Sequence, residues 1–300
     1  MNSLKKITSQ IPFKVNKCSY CKNTRVLDTD KGKFIIKKNI HNNNELFRYL
    51  ETKNFNNFVN LFNYSSDYEV YPYIDNVDIN DEEKALDIVY LITLLHNKTT
   101  FYKTKDIDLF QSLYEDIFNK LTYLYNYYDN LRMVIEENNY MSPSSYLLLR
   151  NISIIFRSID DSKFFIEKWY KISKDKENYR VVTIHNNLEL DHLIKSDSTY
   201  LISWDKSCRA SPIYDFLSLY KNTYENVDSC ILFDLYNSKY PLYEEEKYLL
   251  FSLLLVPSKI DLSNREIINT KEVYELTNYL ISTINFISKY YSNESNTKTD

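Results

Sequence analysis

A chain of 300 residues with a single glycine, Gly32, has given up most of the backbone freedom that folds use at tight turns and around phosphates. Glycine is the residue that reaches positive φ without strain. Walker and dinucleotide-binding loops need several glycines close together, so that backbone can approach a phosphate where a Cβ would intrude. The glycine-rich loop that covers ATP in protein kinases has the same requirement. None of these is present in standard form. Any nucleotide is held some other way, or not at all.

The remaining composition narrows the class further. At 44% hydrophobic residues, the chain can bury a sizeable core, in one large domain or two lobes. The formal net charge is −4 with both signs interspersed, which gives no basic footprint for nucleic acid. No apolar run approaches a membrane span. The opening residues MNSLKKITSQIPFKV lack the apolar centre of a signal peptide. Four cysteines make no disulfide scaffold, so the expected compartment is reducing and cytoplasmic.

Periodicity divides the chain in two. The segment TRVLDTDKGKFIIKK (24–38) reads as a hairpin with Asp-Lys-Gly as its turn. NNNELFRYLETKNF (42–55) reads as a short amphipathic helix capped by Asn43 or Asn44, with Leu46, Phe47 and Leu50 as its stripe. DYEVYPYID (67–75) alternates like a strand. The polar stretch NVDINDEE then marks a boundary, with the hinge at 70–77. Beyond it helices dominate: 81–99 with an acidic first turn, 104–138, 142–159 opening on Ser-Pro, 160–175 and 211–224, continuing to about 290. Two short β-segments, RVVTIH (180–185) and TYLISWD (199–205), interrupt them. The expected organisation is an α+β fold with a small β-rich lobe over 1–74, a large helical lobe over 75–290 and a disordered tail over 291–300.

Between those β-segments lies the densest polar stretch, TIHNNLELDHLI (183–194). Two of the four histidines, His185 and His192, sit there seven positions apart. That is no standard zinc spacing, and no cysteine pair is close in sequence. A hydrogen-bonded structural role is expected for His185. Cys18 and Cys21 form a CxxC without the second pair that structural zinc needs, and Cys208 and Cys230 have the wrong spacing. They read as reduced thiols, with Ser19 and Tyr20 at the tip of a hairpin. The 29 tyrosines read as amphipathic packing.

HNNLELDHLI followed by YLISWDKSCRASPIYDF resembles the paired motifs of aminoglycoside phosphotransferases, choline kinases and bacterial spore-coat kinase-like proteins, whose pattern is H-G-D-x-x-x-x-N, then I-D-W/F and P-x-x-D. KFIIKK is similar to the strand carrying their phosphate-binding lysine, and LITLLHNKT to the helix after their hinge. The resemblance spans about residues 15 to 255. It implies a bilobal protein-kinase-like fold. It places Lys37 as the strand lysine, Glu45 as its helix partner and Asp215 as the later structural aspartate.

The resemblance also puts the wrong chemistry at three positions. Asn187 stands where the family has its catalytic aspartate, His192 where it has a metal-binding asparagine, and Ser203 where it has a metal-binding aspartate. Phosphoryl transfer runs on positioning and on magnesium at the phosphates. Magnesium wants hard oxygen ligands, and an amide cannot take up the substrate proton. The expectation is a catalytically degenerate kinase-like protein that needs no cofactor and acts by binding a protein or small ligand. The alternative is an active phosphotransferase using ATP and Mg, with Asp191 as base and Asp205 as metal ligand. A spore-associated structural protein is the third reading. In the first, His185, Asn187 and His192 are a relic loop: Ile184 and Leu188 pack inward, His185 bonds backbone beneath it, and Asn187, His192 and Ser203 converge.

Overall fold

A computed structural model describes residues 14–21, 24–39, 43–65 and 67–295, with backbone only at Cys21 and 292–295. It is a mixed α+β fold with a β-rich N-terminal region and a helical C-terminal part. Strands β1 (Val15–Cys21), β2 (Thr24–Thr29), β3 (Gly32–Lys38), β4 (Asn63–Tyr64) and β5 (Tyr68–Pro72) form an antiparallel sheet in the order β1-β2-β3-β5-β4. The β2–β3 turn needs the lone glycine: Gly32 has φ +116°, a conformation L side chains rarely adopt. Leu27, Phe34, Ile36 and Val70 form the buried face of this sheet. Ser19 and Tyr20, expected at a hairpin tip, lie instead within β1, because the strand runs on to Cys21.

The helices are α1 (Asn43–Thr52), α2 (Asp81–Thr99), α3 (Ile107–Glu136), α4 (Pro143–Ser173), α5 (Ile213–Thr223), α6 (Ser229–Lys239), α7 (Glu244–Leu255) and α8 (Glu266–Ser295). The change from sheet to helix falls between Pro72 and Asp81, a span that overlaps the polar stretch over 76–83. The compact units are drawn differently. One comprises 1–101, 182–227 and 238–240; the other comprises 102–181, 228–237 and 241–300. The segment carrying the motif loops therefore belongs with the sheet. Short strands β6 (Phe101–Thr104), β7 (Asn178–Ile184), β8 (Leu193–Lys195), β9 (Thr199–Leu201) and β10 (Cys208–Ala210) complete the β structure.

Two helices expected at 142–159 and 160–175 are one, α4. Asp160 and Asp161 open the second expected helix, but the buried stripe runs straight through them. Ile155, Ser158, Ile159, Ser162, Phe165, Ile166 and Trp169 lie on one helical face, each three or four residues from another of the set. Ser158 and Ser162 donate to the Leu255 and Ser252 carbonyls of α7. Burial on one continuous face overrides a local cap preference. In the same unit, Arg180 and Glu246 form a buried ion pair, and Arg180 also donates to the Pro241 carbonyl at 3.0 Å. Helix α8 extends to Ser295, into the stretch read as a disordered tail, and 296–300 lie outside the described residues.

In the first unit, Asp215 ties three elements together. It sits in the first turn of α5 with no exposure. Its carboxylate accepts the His185 N–H at 2.9 Å and the Asn186 N–H at 2.6 Å, where β7 ends, and meets His96 Nε2 of α2 at 3.0 Å. Removing the acceptor would take a hydrogen-bond partner from a buried and a part-buried backbone N–H and from the buried His96 imidazole. Asp215→Ala is expected to cost ~3–5 kcal/mol of stability and Asp215→Asn less, measured by urea unfolding. A loss under 1 kcal/mol for alanine would show that the carboxylate does not hold the loop.

His185 supplies a pH signature. Burial lowers its pKa from the ordinary 6.5 to about 4, against the opposing pull of Asp215 and the Ile202 carbonyl. The unfolded chain therefore takes up the proton first. The stability from neutral His185 is complete above about pH 6.5 and is lost as pH falls towards 4, a few kcal/mol in all. Urea midpoints should decline across that window in the native chain, with a flatter slope in His185→Gln.

Candidate functional site

Strand β7 delivers the motif loop as a buried rod. Val182, Thr183 and Ile184 are inaccessible or nearly so, and β10 pairs antiparallel beside them. The chain then turns at Asn186, whose φ of 57° is left-handed. The phosphotransferase pattern has glycine there. Asparagine is among the few other residues that occupy this region readily. Leu188 is fully buried and closes the loop from below. His185 Nε2 lies 2.9 Å from the Ile202 carbonyl, and the ring packs edge-on against Trp204 at 4.6 Å. Its Nδ1 is buried and has no partner among the described residues.

Asn187, His192 and Ser203 are joined by hydrogen bonds. Asn187 donates its side-chain amide to the Ser203 carbonyl at 3.2 Å. His192 Nδ1 lies 2.6 Å from the Asn187 carbonyl, and the Ile202 N–H bonds the His192 carbonyl at 3.0 Å. Ser203 has φ 67° and opens a short 3-10 turn over Trp204–Lys206. Its hydroxyl accepts from Lys37 Nζ at 2.9 Å. Asp191, in the turn Leu190–His192, is exposed, whereas Asp205 is half-buried.

Magnesium does not fit this donor set. Ser203 offers a neutral hydroxyl already bonded to an ammonium, and His192 offers nitrogen where a hard ion wants oxygen. Among the described residues, no three His, Cys, Asp or Glu side chains gather as a metal site. The His185 and His192 rings lie 6.4 Å apart between centroids, and among the described residues no third His, Cys, Asp or Glu joins them as a metal site. Cys18 faces Leu27 across the sheet, Cys208 is exposed on β10, and the Cys21 side chain lies outside the described set.

Lys37 projects from β3, half-buried. The partner expected for it, Glu45, is exposed on α1 and does not pair with it; the Lys37 hydrogen bond goes to Ser203. The carboxylate beside Lys37 is Glu69, its cross-strand neighbour on β5. Glu69 is 1% exposed and caps α1: it accepts from the Asn43 backbone N–H and side-chain amide, each at 3.0 Å, and from the Tyr71 hydroxyl at 2.7 Å. A carboxylate at a helix N-terminus is favoured by the helix dipole. Burial pushes the Lys37 pKa down, while Asp205 and Glu69 raise it. Burial and the Glu69 charge push the Tyr71 phenol far above its usual value. Sequence reading missed Glu69 and Tyr71. The available signal was an acid and a tyrosine two residues apart, on one face of an otherwise apolar strand.

Lys37, Tyr71 and Ser203 border a pocket of about 440 Å³, counting the open space at its mouth. Ile35, Val59, Ile194 and Ile202 give it apolar walls, and Lys37, Tyr71 and Ser203 bring polar atoms to its edge. Trp204 closes one side, held by Phe47 and Phe55 in edge-on contacts at 6.3 and 6.0 Å. An apolar slot with a few convergent polar groups is the usual form of a small-molecule site.

No protein-family model matches the chain, and no curated protein matches it in sequence. Solved structures do match. An aminoglycoside phosphotransferase from Alicyclobacillus acidocaldarius subsp. acidocaldarius DSM 446 aligns over 95% of this chain and 95% of its own, with a TM-score of 0.70 and 12% identity. A spectinomycin phosphotransferase in its AMP-bound complex aligns over 94% of this chain and 98% of its own, with a TM-score of 0.59 and 15% identity. A spectinomycin phosphotransferase complex with ADP and spectinomycin gives 0.57 and 13%, over 95% and 98%. At such identities the likeness is one of fold: the chain has the kinase-like phosphotransferase fold.

Proposed function

We propose that this chain is a kinase-fold binding protein that has lost phosphoryl transfer and holds a small ligand in the pocket beside Lys37. The observation that carries the reading is the hydrogen bond from Lys37 Nζ to Ser203 Oγ. In the related motif that second position is a metal-binding aspartate; here it is a neutral hydroxyl, while Asn187 donates to the Ser203 carbonyl and the His192 ring meets the Asn187 carbonyl. Losing a positioned base costs ~10²–10⁴-fold in rate, and the metal ligands are replaced as well. The pocket suits a ligand with a flat apolar body and one acceptor or anionic end facing Lys37. No cofactor is required. A protein partner is the alternative occupant of the role, and neither nucleic acid nor membrane is proposed. Among the described residues no helix is long and apolar enough to cross a membrane. A cytoplasmic location follows from the cysteine usage, and a spore-associated structural role rests on the sequence resemblance alone.

A second reading has one observation in its favour. Asp205 lies close enough to act on the titration of Lys37, Tyr71 and His185. It is therefore the acid that could meet a metal if the loop were rebuilt around substrate, with Asp191 as base. The two readings separate by assay. The binding-protein reading expects no magnesium-dependent ATP turnover above background. Turnover that vanishes in Asp205→Ala or Asp191→Ala would replace it with an active phosphotransferase.

Restoring the acids is the complementary experiment. Asn187→Asp, His192→Asn and Ser203→Asp together are expected to create a Mg-ATP site detectable by calorimetry. ATP at a hundred times its dissociation constant would then add ~2.7 kcal/mol to unfolding stability. A folded triple variant that stays silent would mean the lost acids are not what keeps Mg-ATP out of the pocket.

A further inference from the structure

The second compact unit contains a pocket of its own between α6, α7 and α8, about 410 Å³ counting the open space at its mouth. Its floor is aromatic: Phe233, Tyr248 and Phe251 are 1, 4 and 3% exposed. Tyr290 and Tyr291 wall it from α8, with the Tyr290 ring edge-on to Phe233 at 4.7 Å. Both of those phenols are engaged: Tyr290 donates to Asp234 at 2.9 Å, and Tyr291 accepts from Lys168 at 2.6 Å. They offer the cavity ring faces more than hydrogen bonds.

The lining also carries three polar side chains with capacity to spare. The ammonium of Lys247, half-buried in the first turn of α7, has no hydrogen-bond or ion-pair partner among the described residues. Asn237 accepts from the Leu242 N–H at 3.0 Å through Oδ1, which leaves its amide N–H groups free of any described acceptor. Glu244, exposed, accepts from the Tyr248 hydroxyl at 2.7 Å through one oxygen and has the other available. One cation and one anion thus lie a helical turn apart beside an apolar floor, and their charges cancel.

That inventory selects among ligands. A sugar ring carries more hydroxyls than three free groups can satisfy, and burying the rest unpaired costs more than the bonds return. A plain cation meets Lys247, and a plain anion meets Glu244. A small molecule with a flat apolar body and adjacent carboxylate and ammonium groups satisfies both. We propose that this cavity binds a free α-amino acid with an aromatic side chain. The carboxylate lies towards Lys247 and the Asn237 amide, the ammonium towards Glu244, and the ring packs against the aromatic floor, where offset or edge-on contacts are favourable. The site is independent of the pocket beside Lys37, so either assignment stands without the other.

The test is calorimetric titration of the full chain with L-phenylalanine, phenethylamine, 3-phenylpropionate and D-glucose. L-Phenylalanine should bind saturably, and each analogue lacking one charge should bind about tenfold more weakly or worse, as expected for loss of a charge-assisted hydrogen bond. Lys247→Ala should erase the preference over phenethylamine, and Glu244→Gln the preference over 3-phenylpropionate. Neither side chain is fully buried, and unchanged thermal unfolding would show that both variants fold. Three results would overturn the proposal: no saturable binding of L-phenylalanine, binding indifferent to both substitutions, or stronger binding of glucose.

Discussion

The buried carboxylate of Asp215 is what the motif loop depends on. It meets two consecutive backbone N–H groups at the end of β7 and an imidazole on α2, all inside the protein. A buried carboxylate is tolerable only when hydrogen-bonded, so these groups come as a set. With the set in place, β7 ends at one point and the turn at Asn186 follows. Trp204 completes the arrangement from the other side, with His185 against its face and its own Nε1 donating to the Leu201 carbonyl at 2.8 Å.

Under the proposed function, this separation of duties lets the loop keep its shape while its chemistry changes. His96, His185, Trp204 and Asp215 face inward, and replacing any of them breaks packing or leaves a donor stranded. Asn187, His192 and Ser203 are partly exposed, and Ser203 lines the pocket. A substitution there strands no fully buried partner. Lys37 shows the same logic from the sheet. Its neighbour Glu69 is committed to capping α1, so the ammonium settles on Ser203. Burial weakens its charge while Glu69 and Asp205 sustain it.

The tyrosines find a packing role in the helical unit. Lys168 lies over the rings of Phe164, Tyr248 and Tyr291 at 4.8, 5.3 and 4.9 Å, and Phe165 stacks with Tyr248 nearby. Aromatic residues combine large buried area with a polar tip. A chain with one glycine and many tyrosines therefore fills the spaces between long helices with rings. The aromatic cavity at α6, α7 and α8 is a by-product of that packing, and Lys247 and Glu244 give it polarity.

The sequence by itself determined what short-range chemistry controls. The β2–β3 turn was legible because Gly32 is the one residue free to take φ +116°. Helix α2 was legible from its acidic first turn, and its Asn80 cap accepts the Glu83 N–H at 2.8 Å. The motif loop was legible because its polar residues stand between two β-segments, and the structure joins Asn187, His192 and Ser203 through the bonds that loop makes. Tertiary structure decided the rest. Strands β4, β6, β8 and β10 have two to four residues, too few for a period of two to register, and they exist because a neighbour pairs with them. Asp160 and Asp161 carried a helix-start signal that α7 cancels by burying Ser158 and Ser162 on either side. Glu69 took the place beside Lys37 expected of Glu45 because a cross-strand neighbour is set by sheet register, which no local pattern encodes.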